Sequence, residues 1–239
     1  SYGDARVALN ILEAAFLYLG KSGVVTSEII EKVISGGTLY YDKSAEEHYN
    51  LISALHKSMR DSDPDASLYW CYRMLAAGEN PLYIIRRLVR FASEDIGLAD
   101  PKALNIALSA KEAYHFLGSP EGFLSILQAS VYLALAPKSN SIYQAEKMIK
   151  EDIKQYGHLP VPLVIRNAPS KLMKDLNYGK NYQYAHDKED GIVFQQHLPD
   201  LLVNKKYYQP GNRGMELKLK SYMEQLDNLR KKKGNFTKE

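Results

Sequence analysis

Glu47-His48-Tyr49-Asn50-Leu51-Ile52-Ser53-Ala54-Leu55-His56-Lys57-Ser58-Met59-Arg60-Asp61-Ser62-Asp63-Pro64-Asp65-Ala66 is the stretch on which the fold turns. His48, Leu51, Ile52, Leu55 and Met59 recur at intervals of three and four, the period that puts side chains on one face of an α-helix. A polar cluster then breaks the pattern. Asp63 suits an N-cap, whose side chain accepts a hydrogen bond from a free amide, and Pro64 suits the first helical position, where a missing N–H costs nothing. One helix ends and another begins within a few residues, so the stretch reads as a joint between two helical units.

Before the joint, the pattern predicts a helix over 3–19 with Ala8, Ile11, Leu12, Ala15, Phe16 and Leu19 as its apolar stripe, ended by Gly20 and Gly23. A second helix starts at Thr26 or Ser27, with Glu28 in the turn where the dipole favours an anion, and stops at Gly36-Gly37. Residues 39–43 read as a short extended link.

After the joint, Asp63-Pro64, Asn80-Pro81, Asp100-Pro101 and Ser119-Pro120 are four successive N-cap-plus-proline pairs. The helices opened by the first three are closed by Gly78, Gly97 and Gly118, the asymmetry that helix ends favour. The loops between them are short, so neighbouring helices should run antiparallel. The helix opened by Pro120 is apolar nearly all round, from Phe123 to Leu135, and is expected to be buried and central. Another follows from Asn140 or Ser141 to Tyr156, with Ser141 and Gln144 spaced for a capping box. Beyond Gly157 the texture changes. Leu159-Pro160-Val161-Pro162-Leu163 must be extended, because each proline disfavours helix in the residue before it. A short helix over 169–176, an irregular stretch over 178–214 with a short strand at Tyr207-Tyr208, and a last helix over 215–231 complete the reading, an all-α fold.

The 239 residues suffice for one large domain or two smaller ones, and a composition 45% hydrophobic and 25% charged is that of a globular protein. No apolar run approaches the roughly 20 residues of a membrane span. Cys71 is the only cysteine, which excludes an internal disulfide and fits a reducing compartment. The net charge of +3 is too small to announce nucleic acid, but residues 205–239 hold 10 Lys/Arg against 4 Asp/Glu. Such a basic tail suits phosphate or an acidic partner, and is equally common as a solvated terminus. The 18 tyrosines suit subunit interfaces and ordinary cores alike.

Composition and spacing yield no complete active site. Gly20-Lys21-Ser22 looks like the end of a phosphate-binding loop, but the glycine needed five positions earlier is Ala15, inside an amphipathic helix. His48 and His56 lie two turns apart on one helix, where packing is a commoner role than metal binding. Arg86, Arg87 and Arg90 lie three and four apart on one helix, with Tyr83 beside them, a spacing that suits phosphates. The competing role is intrahelical pairing, such as Arg90 with Glu94, and it is the favoured one. Arg166, Lys171 and Lys174 form a second, weaker basic group.

Several long runs carry a resemblance. They are Gly3-Asp4-Ala5-Arg6-Val7-Ala8-Leu9-Asn10, Tyr49-Asn50-Leu51-Ile52-Ser53-Ala54-Leu55-His56-Lys57-Ser58, Ser62-Asp63-Pro64-Asp65-Ala66, the stretch 87–100 from Arg87-Leu88-Val89-Arg90 to Gly97-Leu98-Ala99-Asp100, Ala136-Pro137-Lys138-Ser139-Asn140, and Arg166-Asn167-Ala168-Pro169. Through them nearly the whole chain resembles the C-terminal part of the RarA/MgsA family, AAA+ ATPases related to clamp loaders and to Werner-helicase-interacting protein. The resemblance implies that residues 1–75 are an AAA+ lid and 76–239 a helical, clamp-loader-collar-like oligomerisation domain that builds a homotetramer. It implies that Gly3-Asp4-Ala5-Arg6 is the sensor-2 motif, with Arg6 reaching the nucleotide. An arginine suits that place as a permanent, forked cation.

The resemblance also implies ATP and Mg²⁺ as cofactors of the whole protein, DNA at stalled replication forks and single-stranded-DNA-binding protein as partners, and a cytoplasmic, nucleoid-associated location without membrane. The family's Walker A, Walker B and sensor-1 parts are missing from these residues, so the chain reads as an excised fragment, inactive as an ATPase by itself. Two other readings compete: a free-standing helical protein-interaction scaffold, and a direct DNA-binding module using the arginine helix and the basic tail. A Walker A motif upstream would exclude the first, and salt-dependent binding would support the second.

Overall fold

Asp63 does what its position implies: its carboxylate accepts a 2.9 Å hydrogen bond from the Ala66 amide, and Pro64 occupies the first turn of the helix that follows. The computed structural model describes residues 5–20, 23–35, 45–189 and 191–235. It holds helices α1 (Ala5–Leu19), α2 (Ser27–Ser35), α3 (Ala45–Arg60), α4 (Pro64–Ala76), α5 (Pro81–Phe91), α6 (Lys102–Leu117), α7 (Phe123–Leu135), α8 (Ser141–Tyr156), α9 (Lys171–Asp175) and α10 (Glu216–Asn235), with no strand among the described residues. The fold is therefore all-α. The Gly3-Asp4 pair, the Gly36-Gly37 stop and the 39–43 link lie outside the described residues, as does the side chain of Arg6.

The chain divides into two units, Ser1–Lys138 and Ser139–Glu239. In the first, α3 to α7 close on one core. Leu55 and Met59 of α3, Met74 of α4, Ile84, Leu88 and Phe91 of α5, and Ile126 and Leu133 of α7 are fully buried there. Helix α6 presents Ala103, Ala107 and Ala110 inward at helical spacing, and these small side chains let α7 approach closely. Gly78 ends α4 in the left-handed region (φ 81°), where its amide bonds the Leu75 carbonyl at 3.1 Å.

Three of the four Asx/Ser-Pro pairs act as starts. Besides Asp63, Asn80 accepts from the Leu82 amide at 2.9 Å, and Asp100 from the Lys102 amide at 3.1 Å. The fourth does not. Ser119-Pro120 is a cis peptide, the Ser119 hydroxyl bonds the Tyr114 hydroxyl at 3.1 Å, and α7 begins only at Phe123. The helix expected to reach Gly97 also differs: after Phe91 it widens into a π-helical turn, Ala92–Ile96. Helix α7 is not buried all round. Ile126, Ala129, Ser130, Leu133 and Ala134 face the core, while Leu124 is 73% and Leu135 62% exposed.

The second unit is organised by two buried carboxylates. Glu216, at the start of α10, accepts from the Ser141 hydroxyl, from the Gly211 amide at 2.7 Å and from the Tyr208 hydroxyl at 3.1 Å. The expected capping box at Ser141 is absent for that reason: its hydroxyl is spent on a residue 75 positions away. Burial pushes the Glu216 carboxyl up, but the hydrogen bonds from Ser139, Ser141, Gly211 and Tyr208 prevail and hold it below its ordinary value. Asp152 of α8 accepts from Lys205 at 2.9 Å and from the Tyr207 hydroxyl at 2.8 Å. The expected strand at Tyr207-Tyr208 is likewise absent; these residues are held instead through their hydroxyls, Tyr207 to Asp152 and Tyr208 to Glu216.

Phe91→Ala is expected to lower the unfolding free energy by about 3–5 kcal/mol, the usual cost of emptying a buried aromatic site, and Asp63→Ala by about 1 kcal/mol, the usual worth of an N-cap. Urea unfolding of the purified chain followed by circular dichroism measures both. A Phe91→Ala chain as stable as the parent would contradict the core placement.

Candidate functional site

The residues with most chemistry gather where α3 meets α5 and its π-helical turn. Arg60, at the end of α3, makes a fork with Asp95: Nε to Oδ1 at 2.6 Å and a terminal nitrogen to Oδ2 at 3.2 Å. Such two-pronged pairing is the strongest geometry open to an arginine and a carboxylate. Arg90 donates through Nε to Glu94 Oε2 at 2.5 Å, the intrahelical pairing allowed by its spacing. Arg86 is exposed and lies 5.2 Å over the Tyr83 ring. Arg87 lies close enough to His56 of α3 to act on its charge. It is half-buried, and its buried Nε has no hydrogen-bond partner among the described residues. Thus two acidic side chains hold Arg60 and Arg90, one arginine stacks, and Arg87 is the least compensated of the three that the sequence singles out.

His56 explains the local balance. Its ring meets Phe91 edge-on at 5.5 Å, and its buried Nε2 has no hydrogen-bond partner among the described residues. Burial first, then the neighbouring Arg87 and Arg60, lower its pKa from 6.5 to about 4, against the opposing pull of Asp95 and Glu94. The imidazole is neutral at physiological pH and serves as packing. His48 is also structural: its Nδ1 meets Glu79 Oε2 at 2.5 Å and its ring stands 4.4 Å from Tyr83. Burial pushes the Cys71 thiol up to about 12, so it offers no thiolate. No group of three or more metal-binding side chains occurs among the described residues, and no described helix is long and apolar enough to cross a membrane.

Two features of the first unit carry no local signal. Lys138 donates to the Ala134 and Ala136 carbonyls at 2.7 and 2.6 Å and reaches Ser62 at 3.4 Å, so it caps α7 and touches the α3–α4 joint. Tyr132 donates to Asp100 at 2.7 Å. The Lys138–Ser62 and Tyr132–Asp100 contacts join residues 76 and 32 positions apart, and spacing rules see only neighbours. In the second unit, Lys171 and Lys174 are exposed on α9, while Arg166 donates to the Val161 carbonyl at 2.6 Å and lies 4.9 Å over Tyr178. The two basic groups therefore belong to different units. Arg6 lies in the first turn of α1.

Residues 61–227 match the family model described as MgsA AAA+ ATPase C terminal, and residues 1–60 match the AAA C-terminal domain. The chain is 52% identical over 226 residues to replication-associated recombination protein A of Coxiella burnetii, covering 93% of this chain and 51% of that protein. It is 43% identical over 222 residues to the protein of the same name in Escherichia coli K12, covering 91% and 50%. It is also 45% identical over 227 residues to ATPase WRNIP1 of Dictyostelium discoideum, covering 87% and 26%. The chain spans about half the length of the bacterial relatives cited here.

Because the folded chain keeps His56 neutral down to about pH 4 while the unfolded chain protonates it near 6.5, the unfolded state binds more protons in that window. Stability should be complete above pH 6.5 and fall as pH drops toward 4, by an amount on the order of 3 kcal/mol from this residue. His56→Leu should flatten that part of a stability-against-pH curve measured by urea unfolding. An unchanged slope would remove His56 as its source.

Proposed function

We propose, from the premise that this chain belongs to the MgsA family of AAA+ ATPases, that it is the lid and oligomerisation part of a DNA-dependent ATPase acting at stalled replication forks. The observation that carries the reading is the continuous match of the two family domains across residues 1–227, on helices whose joint at Asp63-Pro64 falls where the two matches meet. Residues 1–75 take the lid role and 76–239 the assembly role. This is a division of labour along the chain, since the packed core of the first unit continues through Leu75 and Ile84.

ATP and Mg²⁺ are cofactors of the longer protein in this reading, because the loop that holds phosphate and the carboxylates that hold metal are not among these residues. Arg6 is the nucleotide contact. Arg86, Arg87, Lys171 and Lys174 are candidates for DNA phosphates. Arg90 is the weaker candidate, being engaged by Glu94. The chain assembles as a homotetramer and meets DNA and single-stranded-DNA-binding protein at the fork, in the cytoplasm with the nucleoid. The exposed apolar side chains of the first unit, among them Leu104, Leu108, Phe116, Leu124 and Leu135, support the assembly role.

Arg6→Ala in the protein that carries the ATPase core is expected to reduce steady-state ATP turnover at least tenfold, a loss of about 1.4 kcal/mol in transition-state stabilisation, and to leave its sedimentation unchanged. Wild-type turnover in that variant would remove the nucleotide role. The present chain alone should sediment at equilibrium, at micromolar concentration and moderate salt, with four times its 27.1 kDa mass. A mass of one chain would overturn the assembly role.

A further inference from the structure

Helix α3 belongs to one family match by sequence and to the other by packing. The two matches part between Arg60 and Asp61. Yet the buried cluster of the first unit begins on α3, with Leu51, Ile52, Leu55 and Met59, and continues through α4, α5 and α7. Helices α1 and α2 pack on each other and give that cluster no member among the described residues.

The joint after α3 leaves no slack. Ser62 takes the left-handed conformation (φ 63°) that closes a helix. Its amide bonds the Met59 carbonyl at 3.2 Å, and the Asp63 amide bonds the Ser58 carbonyl at 3.0 Å. Asp63 also opens α4, its carboxylate lying 2.9 Å from the Ala66 amide. The same residue thus completes the end of α3 and caps the start of α4, and no free residue separates the two helices.

Along its length α3 is gripped by α5 and the π-helical turn. The His48 ring stands 4.4 Å from Tyr83, the His56 ring stands 5.5 Å from Phe91, and Arg60 forks onto Asp95 at 2.6 and 3.2 Å. Each pair is 35 positions apart, so the two helices run in the same direction and in step. The three rungs span about 18 Å of α3. The last is the directional one, because a two-pronged pair fixes angle as well as distance. Between the rungs, α5 carries Arg86, 5.2 Å over Tyr83, and Arg87, beside His56.

We propose that α3 is the arm that delivers the nucleotide state of the ATPase to α5. A change set up at Arg6 that reaches α3 moves α5 and its π-helical turn with it, and the Arg60–Asp95 fork fixes the far end. This rests on the nucleotide role given above to Arg6, and it adds a route by which bound nucleotide alters the arginines of α5. Such coupling is reciprocal, so a ligand held by Arg86 and Arg87 also shifts nucleotide affinity.

Amide hydrogen exchange tests this, first on the full 239-residue chain in low urea. Helix α3 should open together with α5 and α7, with the same urea dependence, and apart from α1 and α2. An α3 that opens with α1 and α2 overturns its place in the body. In the protein that carries the ATPase core, a non-hydrolysable ATP analogue should change exchange in α1 and also at 92–96. Arg60→Asp and the shape-conserving Asp95→Asn should each at least halve the change at 92–96 and leave that in α1 intact. The Arg60 side chain is 50% exposed, so melting followed by circular dichroism should show the variants folded. Arg60→Asp combined with Asp95→Arg should restore the response, which a mere loss of packing would not. A response in α1 that stops short of 92–96 overturns the proposal and leaves the Arg6 role standing. No response in α1 overturns the Arg6 role itself. A response at 92–96 that survives both single variants overturns the fork as the coupling.

Discussion

Leu55, Met59, Ile84, Leu88 and Phe91 are fully buried in one cluster, where a charge or an unpartnered polar group is costly. This exclusion shapes everything on its rim. The charges that α3 and α5 carry are sent to the edge, where Arg60 pairs with Asp95 and Arg90 with Glu94. His56, caught between the apolar cluster and the arginines, stays neutral because a charge there would be both poorly solvated and repelled. The π-helical turn at Ala92–Ile96 lies on the same rim and carries Glu94 and Asp95, which meet Arg90 and Arg60. Irregular helical turns recur at places under functional constraint.

The parts of the fold that depend on neighbouring residues are legible in the sequence. Asp63, Asn80 and Asp100 cap helix starts, and the core face of α3 follows from its spacing, because capping and amphipathicity are decided within a few residues. Ser119-Pro120 has the same letters and a different outcome, since its serine hydroxyl is taken by Tyr114. Ser141 is spaced to cap its own helix and serves Glu216 instead. Long-range partners compete with local ones for the same donors, and periodicity does not reveal which partner wins.

The candidate site is legible in part. Spacing marks the arginines of α5, and the pairing of Arg90 with Glu94 follows from the same rule. The fork between Arg60 and Asp95, 35 residues apart, has no such signature. Asp95 lies in a run that carries the family resemblance, and so do the joint and the lysine that caps α7. Family likeness here coincides with places where distant segments are stitched together.

Glu216 ties the beginning of α10 to the beginning of α8, and Asp227, eleven residues further along the same helix, meets Lys206 at 2.7 Å. The two points lie about 16 Å apart along the helix axis. A rod held at one point swivels; a rod held at two keeps its direction. The two holds differ in kind. Glu216 is sheltered from solvent, whereas both members of the Asp227–Lys206 pair are exposed and open to screening by salt. Raising the ionic strength therefore weakens the far ion pair and spares the near hold, while Arg230, 5.1 Å over the Phe194 ring, still ties the far end of α10 down.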